Sequence, residues 1–434
     1  MTATIFALAT APGRSGIAVI RATGPLCGPV CACLAESIPK PRRATLVRLG
    51  YESESLDRAL VLWFPGPASF TGEDMVEFHL HGGRAVVEGV SKALLAFGLS
   101  PAGPGDFARR AFENGKLDLT QIEALADLIE SETAFQRCQA LRQEGGALSK
   151  RVETWRERLV AALARQEALI DFPDEELPDH LQADVTQRVE GLIGDITPYL
   201  EDRHCGERLR DGVVVAILGA PNAGKSSLMN LLAGRDVAIV SEHAGTTRDV
   251  LEVHLDLGGY PVTLLDTAGL REAGEGVEAE GIRRALVRAE SADLKLVLFD
   301  AARWPERDPA SLALLDERSI ELVSRLDRAE DIELAERLGL SVSTGQGVSE
   351  LLALLQERVA GLVGSGESAL ITRARHRQAI EESLSALRRY LAAPSADMAG
   401  EELRLASSAL GRIAGKVGVE ELLDLIFGEF CIGK

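Results

Sequence analysis

No stretch of the 434-residue chain approaches the roughly 20 consecutive apolar residues that span a bilayer, so no membrane association is expected. The N-terminal MTATIFALATAPGRSG has no basic leader region and only a short apolar run, so no secretory signal is read from it. The six cysteines are scattered. Cys27, Cys31 and Cys33 form C-x3-C-x-C without a nearby histidine, which argues for a small-residue helix face rather than a zinc site. A reduced, cytoplasmic chain is expected. A surplus of basic residues is missing as well: the net charge is −19, which argues against a general nucleic-acid coat. The deficit is uneven. Residues 1–117 carry 12 basic and 10 acidic residues and residues 371–434 carry 9 of each, so the middle of the chain holds −21. A polyanion is repelled by that middle and tolerated at the two ends.

What is present has a mixed texture. The length suggests about three domains at roughly 150 residues each, and 46 % apolar residues allow a sizeable core. Residues 1–117 mix short β-like runs (GIAVIR, RALVLWF, EDMVEFHLHGG) with a helical RAVVEGVSKALLAFG, between turn signals such as FPGPASFTGED and SPAGPGDF. This predicts a compact α+β domain. From Thr120 to Phe172 apolar residues fall at helical spacing with almost no breakers, and Leu163, Gln166, Leu169 and Ile170 mark the expected stripe. A second helical segment runs to about Leu209, and helical texture returns over 372–434. The helical halves, 118–210 and 366–434, flank an insert and are expected to pack as one discontinuous bundle. The insert, 211–365, places short apolar runs (GVVVAILG, VTLLDTAG, LKLVLFDA, IELVS, LSVS) between helical stretches. That predicts α/β with a mostly parallel sheet. The expected fold is therefore multidomain, α/β and α+β: an α/β domain, a P-loop, Ras-like G domain by the GAPNAGKSS and DTAG motifs it carries, inserted in a helical domain and preceded by an α+β domain.

GAPNAGKSS (219–227) fits G-x4-G-K-[ST] in the strand–loop–helix setting that motif requires. Its glycines let backbone N–H groups approach phosphate oxygens, and the helix N-terminus favours the anion. Lys225 is placed for the β- and γ-phosphates and Ser226 for Mg2+, with Asn222, Ala223, Gly224 and Ser227 completing the nucleotide loop. GTTRD (245–249) offers Thr247 as a second hydroxyl for Mg2+. DTAG (Asp266, Thr267, Ala268, Gly269) closes a strand, so Asp266 can hold the metal's water and the Gly269 N–H can sense the γ-phosphate. The base-reading stretch N-K-x-D stands here as SRLD: Asp327 can bond the guanine amino and ring N–H groups, while Ser324 and Arg325, followed by Leu326, replace Asn and Lys. Guanine preference with weakened affinity is expected. Ser341, Val342 and Ser343 stand where the second guanine-contacting loop lies. Leu270 after DTAG cannot orient water, which leaves Glu272, Glu275, Glu278 and Glu280 as candidate acids and Arg248 and Arg271 as candidate arginine fingers.

Taken in order, GAPNAGKSSL, AGTTRD and DTAGLRE, between two helical halves and before a terminal FCIGK, resemble the MnmE (TrmE) family of tRNA modification GTPases. The resemblance runs the full length, through APGRSGIAVIR, LWFPGPASFTGED, HGG, RAFENGKLDLTQIEALADLI and DFPDEE. It implies a homodimer that works on tRNA with the FAD protein MnmG in a heterotetramer, adding a (carboxymethyl)aminomethyl group to C5 of the wobble uridine. It implies K+-stimulated GTP hydrolysis by G domains that meet head to head around the ion, which replaces the arginine finger. Asn222, Ser241, His243 and Thr246 would be the K+ ligands, within a nucleotide-contacting segment that includes Glu242, Ala244 and Gly245, and Glu278 matches the water-activating acid. It further implies a folate-binding-like N-terminal domain that holds 5-formyl-tetrahydrofolate at Arg21, Glu77, Lys116 and Lys434. Glu77 suits a pterin amidine edge and the three cations suit carboxylates. Cys431 in the tail becomes a candidate catalytic thiolate, against the bland alternative of a buried residue after an apolar helix. The G domain alone is equally compatible with a regulatory or ribosome-assembly switch that carries no modification chemistry.

Overall fold

A computed structural model of the chain describes residues 3–171, 181–239, 252–266, 291–329, 332–334, 337–364, 370–417, 423, 426–428, 430 and 433. The chain divides into two compact units, 1–126 with 410–434 and 127–409.

The first unit is built on a six-stranded sheet in the order β3-β4-β5-β2-β1-β6, with β1 Ile5–Leu8, β2 Ser15–Thr23, β3 Thr45–Tyr51, β4 Glu54–Phe64, β5 Met75–Gly82 and β6 Ser100–Pro101. All pairs are antiparallel except β1–β6. The alternation in VEFHLH decides the two faces, because successive strand side chains point to opposite sides. Val76, Phe78 and Leu80 are buried with Ile20, Val61 and Leu49, beneath α1 (Cys27–Leu34) and α2 (Arg84–Ala96). Cys27 and Cys31 belong to this core, and burial raises both thiols, Cys31 to about 11. Glu77 and His79 therefore face the other way, opposite Arg21 and Val19 of β2 and Leu62 and Leu60 of β4. Next come α3 (Asp106–Glu113) and α4 (Leu119–Glu130), whose last residues lie in the second unit. Phe427, Ile426 and Phe430 pack with Ala108, Leu119 and Ile122, so the apolar run before the terminal motif is core.

The second unit carries the parallel sheet β12-β11-β10-β7-β9-β8, from β7 Val213–Gly219, β8 Glu252–Leu257, β9 Tyr260–Asp266, β10 Leu294–Asp300, β11 Ser319–Ser324 and β12 Leu338–Leu340. Only β8 is antiparallel to its neighbour. The inner strands read as near-continuous apolar runs because both faces are covered. The helical part comprises α5 (Ala134–Glu144), α6 (Ala147–Asp171), α7 (Leu181–Leu200) and α8 (Cys205–Asp211) before the sheet. The sheet itself carries α9 (Lys225–Ala233) and α10 (Val348–Val363), and α11 (Ala374–Leu391) and α12 (Ala396–Ile413) follow it. The two helical halves do pack together, α7 lying against both α6 and α11.

Two expectations are corrected. The stretch from Thr120, described as far as Asp171, is three helices. Thr133 and Gln136 form a reciprocal capping box that starts α5, and Gly145 and Gly146 end it. The buried stripe of α6 is Leu148, Val152, Trp155, Leu159, Ala162 and Gln166, in alternating steps of four and three, whereas Leu163, Leu169 and Ile170 are only half-buried. Gln166 is tolerated in this seam because its amide donates to Ala396 O at 3.0 Å and accepts from Tyr390 Oη at 3.3 Å. The second segment likewise breaks after Leu200, at Arg203 and His204, both with positive φ.

Arginines fix the two points where the chain passes between helices and sheet. Arg210, just before β7, and Arg373, just before α11, both donate to Asp127 Oδ1, at 2.9 and 2.7 Å. Arg377, nearly buried, donates to Asp202 at 2.7 Å and to both oxygens of Glu207. Leu159→Ala, at the centre of the α6 seam, should lower stability by about 2–5 kcal/mol in urea unfolding followed by circular dichroism; a loss below about 1 kcal/mol would contradict this packing.

Candidate nucleotide and N-terminal sites

The phosphate loop leaves β7 at Gly219, whose φ of 144° and close approach to β10 exclude a side chain: a Cβ there would lie 2.6 Å from Leu298 O. Asn222 is also left-handed, with φ 63°, and Gly224, with φ 97°, opens α9. This turns the loop back on itself, with Ala223 N donating to Ala220 O. Lys225 is buried, and its Nζ donates to Gly219 O and Ala220 O, both at 2.9 Å, which holds the ammonium inside the loop. Ser226 Oγ donates to Asp266 Oδ2 at 2.6 Å. The parallel pairing that sets Ile217 opposite Asp266 carries that carboxylate to the loop. A hydroxyl and a carboxylate oxygen in contact, at the start of a helix that follows this loop, suit a hydrated Mg2+ beside phosphates.

The SRLD stretch sits at the C-terminal end of β11. Ser324 is buried, and its Oγ lies 2.6 Å from Ala223 O and 3.2 Å from Phe299 O, so it ties the strand to the phosphate loop. Arg325, with φ 62°, pairs with Asp300 at 2.9 Å. Asp327 is exposed and accepts from Ser341 Oγ at 2.6 Å, and Ser341 in turn contacts Ser343 Oγ at 2.9 Å. The Ser341 hydrogen bond, aided by Ser343, holds the Asp327 carboxyl below the usual carboxylate range. The structure thus joins Ser324 to the loop of Asn222 to Ser227 through Ala223 O, and joins Asp327 to Ser341 and Ser343. Asp300 was missed from sequence, although an acid closing LKLVLFD marks the strand end at which such sites gather.

In the first unit, a cavity of about 420 Å3 is lined by Arg21, Glu77, Arg42, Phe64, Phe70 and Met75, among others. Arg21 pairs with Glu77 at 3.0 Å, and His79 Nε2 lies 3.2 Å from the second Glu77 oxygen. Arg21 Nη1 also reaches Gly433 O at 3.4 Å, which brings the terminal tail to this cavity. Arg21 Nε is buried without a hydrogen-bond partner. An orphaned donor beside a half-buried carboxylate and two aromatic rings fits a flat heteroaromatic ligand with a carboxylate, as folates are. Lys116 stands outside this lining, and its Nζ donates to Pro67 O at 2.8 Å, so it supports the loop that Arg42 also holds through Ala68 O. Sequence reasoning missed Arg42, for which no motif gave a signal.

Ser241, Glu242, His243, Ala244, Gly245, Thr246, Thr247, Thr267, Ala268, Gly269, Glu278, Cys431 and Lys434 lie outside the described residues. Among the described residues, no helix is long and apolar enough to cross a membrane.

A carboxyl group held low stays an acceptor to lower pH. Ser341→Ala should therefore raise the Asp327 pKa and move the acid limb of nucleotide binding upward, from below the usual carboxylate range toward its ordinary position near about pH 4; titrations that give the same limb in both proteins would contradict the Ser341 role.

Two family models match the chain: the MnmE helical domain over residues 119–431, and the GTP-binding protein TrmE N-terminus over residues 4–116. Among curated relatives, the tRNA modification GTPase MnmE of Paramagnetospirillum magneticum is 52 % identical, covering 100 % of both chains. That of Parvibaculum lavamentivorans is also 52 % identical, over 99 % of this chain and 100 % of its own. That of Gluconacetobacter diazotrophicus is 50 % identical, over 99 % and 98 %. With both models matched end to end and half of all positions shared over the full length, the chain belongs to the MnmE family of tRNA modification GTPases.

Proposed function

We propose that this chain is a K+-stimulated GTPase that, with an MnmG-type FAD protein, adds a (carboxymethyl)aminomethyl group to C5 of the wobble uridine in certain tRNAs. The observation that carries this reading is the joined set of Lys225, Ser226, Asp266 and Asp327, in a chain whose relatives are named tRNA modification GTPases. Lys225 would exchange its two loop carbonyls for β- and γ-phosphate oxygens. Ser226 and Thr247 would hold Mg2+, with Asp266 taking its bound water. Mg2+ supplies charge neutralisation between the phosphates. Glu278 would activate the attacking water, and Asn222, with Ser241, His243 and Thr246, would hold K+. The exposed amide of Asn222 beside the loop supports that role, since an amide oxygen suits a hard cation.

The cavity at Arg21 and Glu77 would take 5-formyl-tetrahydrofolate. Glu77 would accept from the pterin amidine edge, and Arg21 and Lys434 would hold carboxylates. Lys116, which gives one N–H to Pro67 O, would offer its others to a folate carboxylate. Homodimerisation would use the open face of the N-terminal sheet, where Leu46 and Leu60 are paired across strands and exposed. Cys431 would act in the modification chemistry, on the tail that Gly433 ties to Arg21. Work in the cytoplasm, where tRNA is modified, follows from this reading.

Mass spectrometry of tRNA nucleosides from a deletion strain tests it. Unmodified wobble uridine is expected in the deletion, rescued by the unaltered gene and not by Glu278→Ala or Cys431→Ser. Unchanged nucleosides would refute it. Cys431→Ser should leave GTP hydrolysis intact. Hydrolysis should be faster in K+ than in Na+ at equal ionic strength; equal rates would remove the role given to Asn222.

A further inference from the structure

We infer that this nucleotide site reads guanine from one edge only and does not sense ring atom N7, because Ser324 gives its single proton to the phosphate loop. The inference rests on the guanine reading above and concerns how that reading is achieved. A hydroxyl has one proton to donate, whereas an asparagine amide has two N–H groups on a longer arm. An asparagine at position 324 can therefore give one N–H to the loop and keep another for the base. Ser324 cannot. Its Oγ is buried, lies 2.6 Å from Ala223 O and 3.2 Å from Phe299 O, and both neighbours are acceptors. The proton is committed between them. The hydroxyl lone pairs are of no use to N7, which carries no proton and needs a donor.

The other end of the stretch is intact. Asp327 is exposed, ionised and steadied by Ser341 and Ser343, so it can accept from the ring N–H and the amino group. Those two groups lie on one edge of guanine and N7 on the opposite one, so with Asp327 at the first edge the N-K-x-D reading sets position 324 toward the second. Arg325 is turned aside: its guanidinium is paired with Asp300 at 2.9 Å. The substitutions at 324 and 325 thus keep the latch between β11 and the phosphate loop and give up a base contact. Discrimination against adenine survives, because adenine presents no ring N–H to Asp327. Discrimination at position 7 does not.

The test uses the full chain with Mg2+ and displaces a fluorescent GDP with GDP, 7-deaza-GDP and ADP. GDP and 7-deaza-GDP should bind within about threefold of each other, and ADP at least tenfold more weakly; one neutral hydrogen bond would separate the first pair by roughly two- to twelvefold. Ser324→Asn should create a preference for GDP over 7-deaza-GDP larger than about threefold, at retained GDP binding. A penalty above threefold for 7-deaza-GDP in the unaltered chain would overturn the inference, whether or not the variant folds. A variant that binds GDP without gaining the preference would also overturn it. ADP binding as tight as GDP, or no binding of either, would instead defeat the guanine reading itself.

Discussion

The parallel register of β7 against β9 and β10 is the constraint on which the nucleotide site depends. Parallel strands that start together also end together, so Gly219, Asp266, Asp300 and Ser324 all reach one edge of the sheet. The chain order then crosses over: β9 and β8 lie on one side of β7 and β10, β11 and β12 on the other. Such a switch point leaves a crevice at the carboxyl ends of the strands. Into it project the loop of 220–224 and the N-terminus of α9. The contacts Ser226–Asp266, Ser324–Ala223 and Arg325–Asp300 each join two elements that only this register brings within reach. A one-residue slip of β9 would turn Asp266 to the other face and dissolve the Ser226 contact.

The N-terminal site rests on a different periodicity. Antiparallel pairing places Arg21 opposite Glu77, and Leu62 opposite the same Glu77 from the other neighbour. One face of that sheet is spent on the core under α1 and α2, so the other is left to carry charged groups and exposed leucines together. A carboxylate shared by an arginine and a histidine, at the foot of a cavity walled by Phe64 and Phe70, is poorly solvated yet satisfied. That combination favours a ligand able to replace one partner with hydrogen bonds of equal number.

How much of this was legible in the sequence differs from element to element. The strand–loop–helix around GAPNAGKSS was readable because motif, apolar run and helix start agree, and the Lys225 contacts lie within it; DTAG marked Asp266 as the partner that a second strand brings to Ser226. The faces of β5 were readable from simple alternation. The breaks at Thr133 and Gly146 carried local signals, a capping box and a glycine pair, but a continuous helical period masked them. Of the expected α6 stripe, Leu163, Leu169 and Ile170 are only half-buried, and the one residue that does lie in the true seam is the polar Gln166. Only Tyr390 and Ala396, more than two hundred residues onward, make its burial possible. Asp300 and Arg42 belong to the same class: each acquires its role from a partner that tertiary structure supplies, Arg325 in one case and the Ala68 carbonyl in the other. The Lys116 contact with Pro67 O is of that class too: it takes one of three N–H donors and no motif announces it.

The strand that ends in Asp266 begins at the helical part. Tyr260 packs against Phe135 with ring centroids 4.6 Å apart and the planes tilted by 49°, and Phe135 N donates to Gly259 O. Gly259 has φ 97°, and a Cβ there would meet the Phe135 ring at 2.9 Å, so the close approach requires glycine. Seven residues of β9 thus run from the N-terminus of α5 to the carboxylate that meets Ser226. The same helical part holds both chain crossings through Asp127, with Arg377 fixing α8 to α11. Ion pairs this sheltered add little net stability over apolar residues, since desolvation offsets their attraction, but removing one partner strands the other charge. Their consequence is directional. They allow few arrangements of the inserted sheet on its helices, and the contact between Phe135 and Gly259 selects among those arrangements by shape.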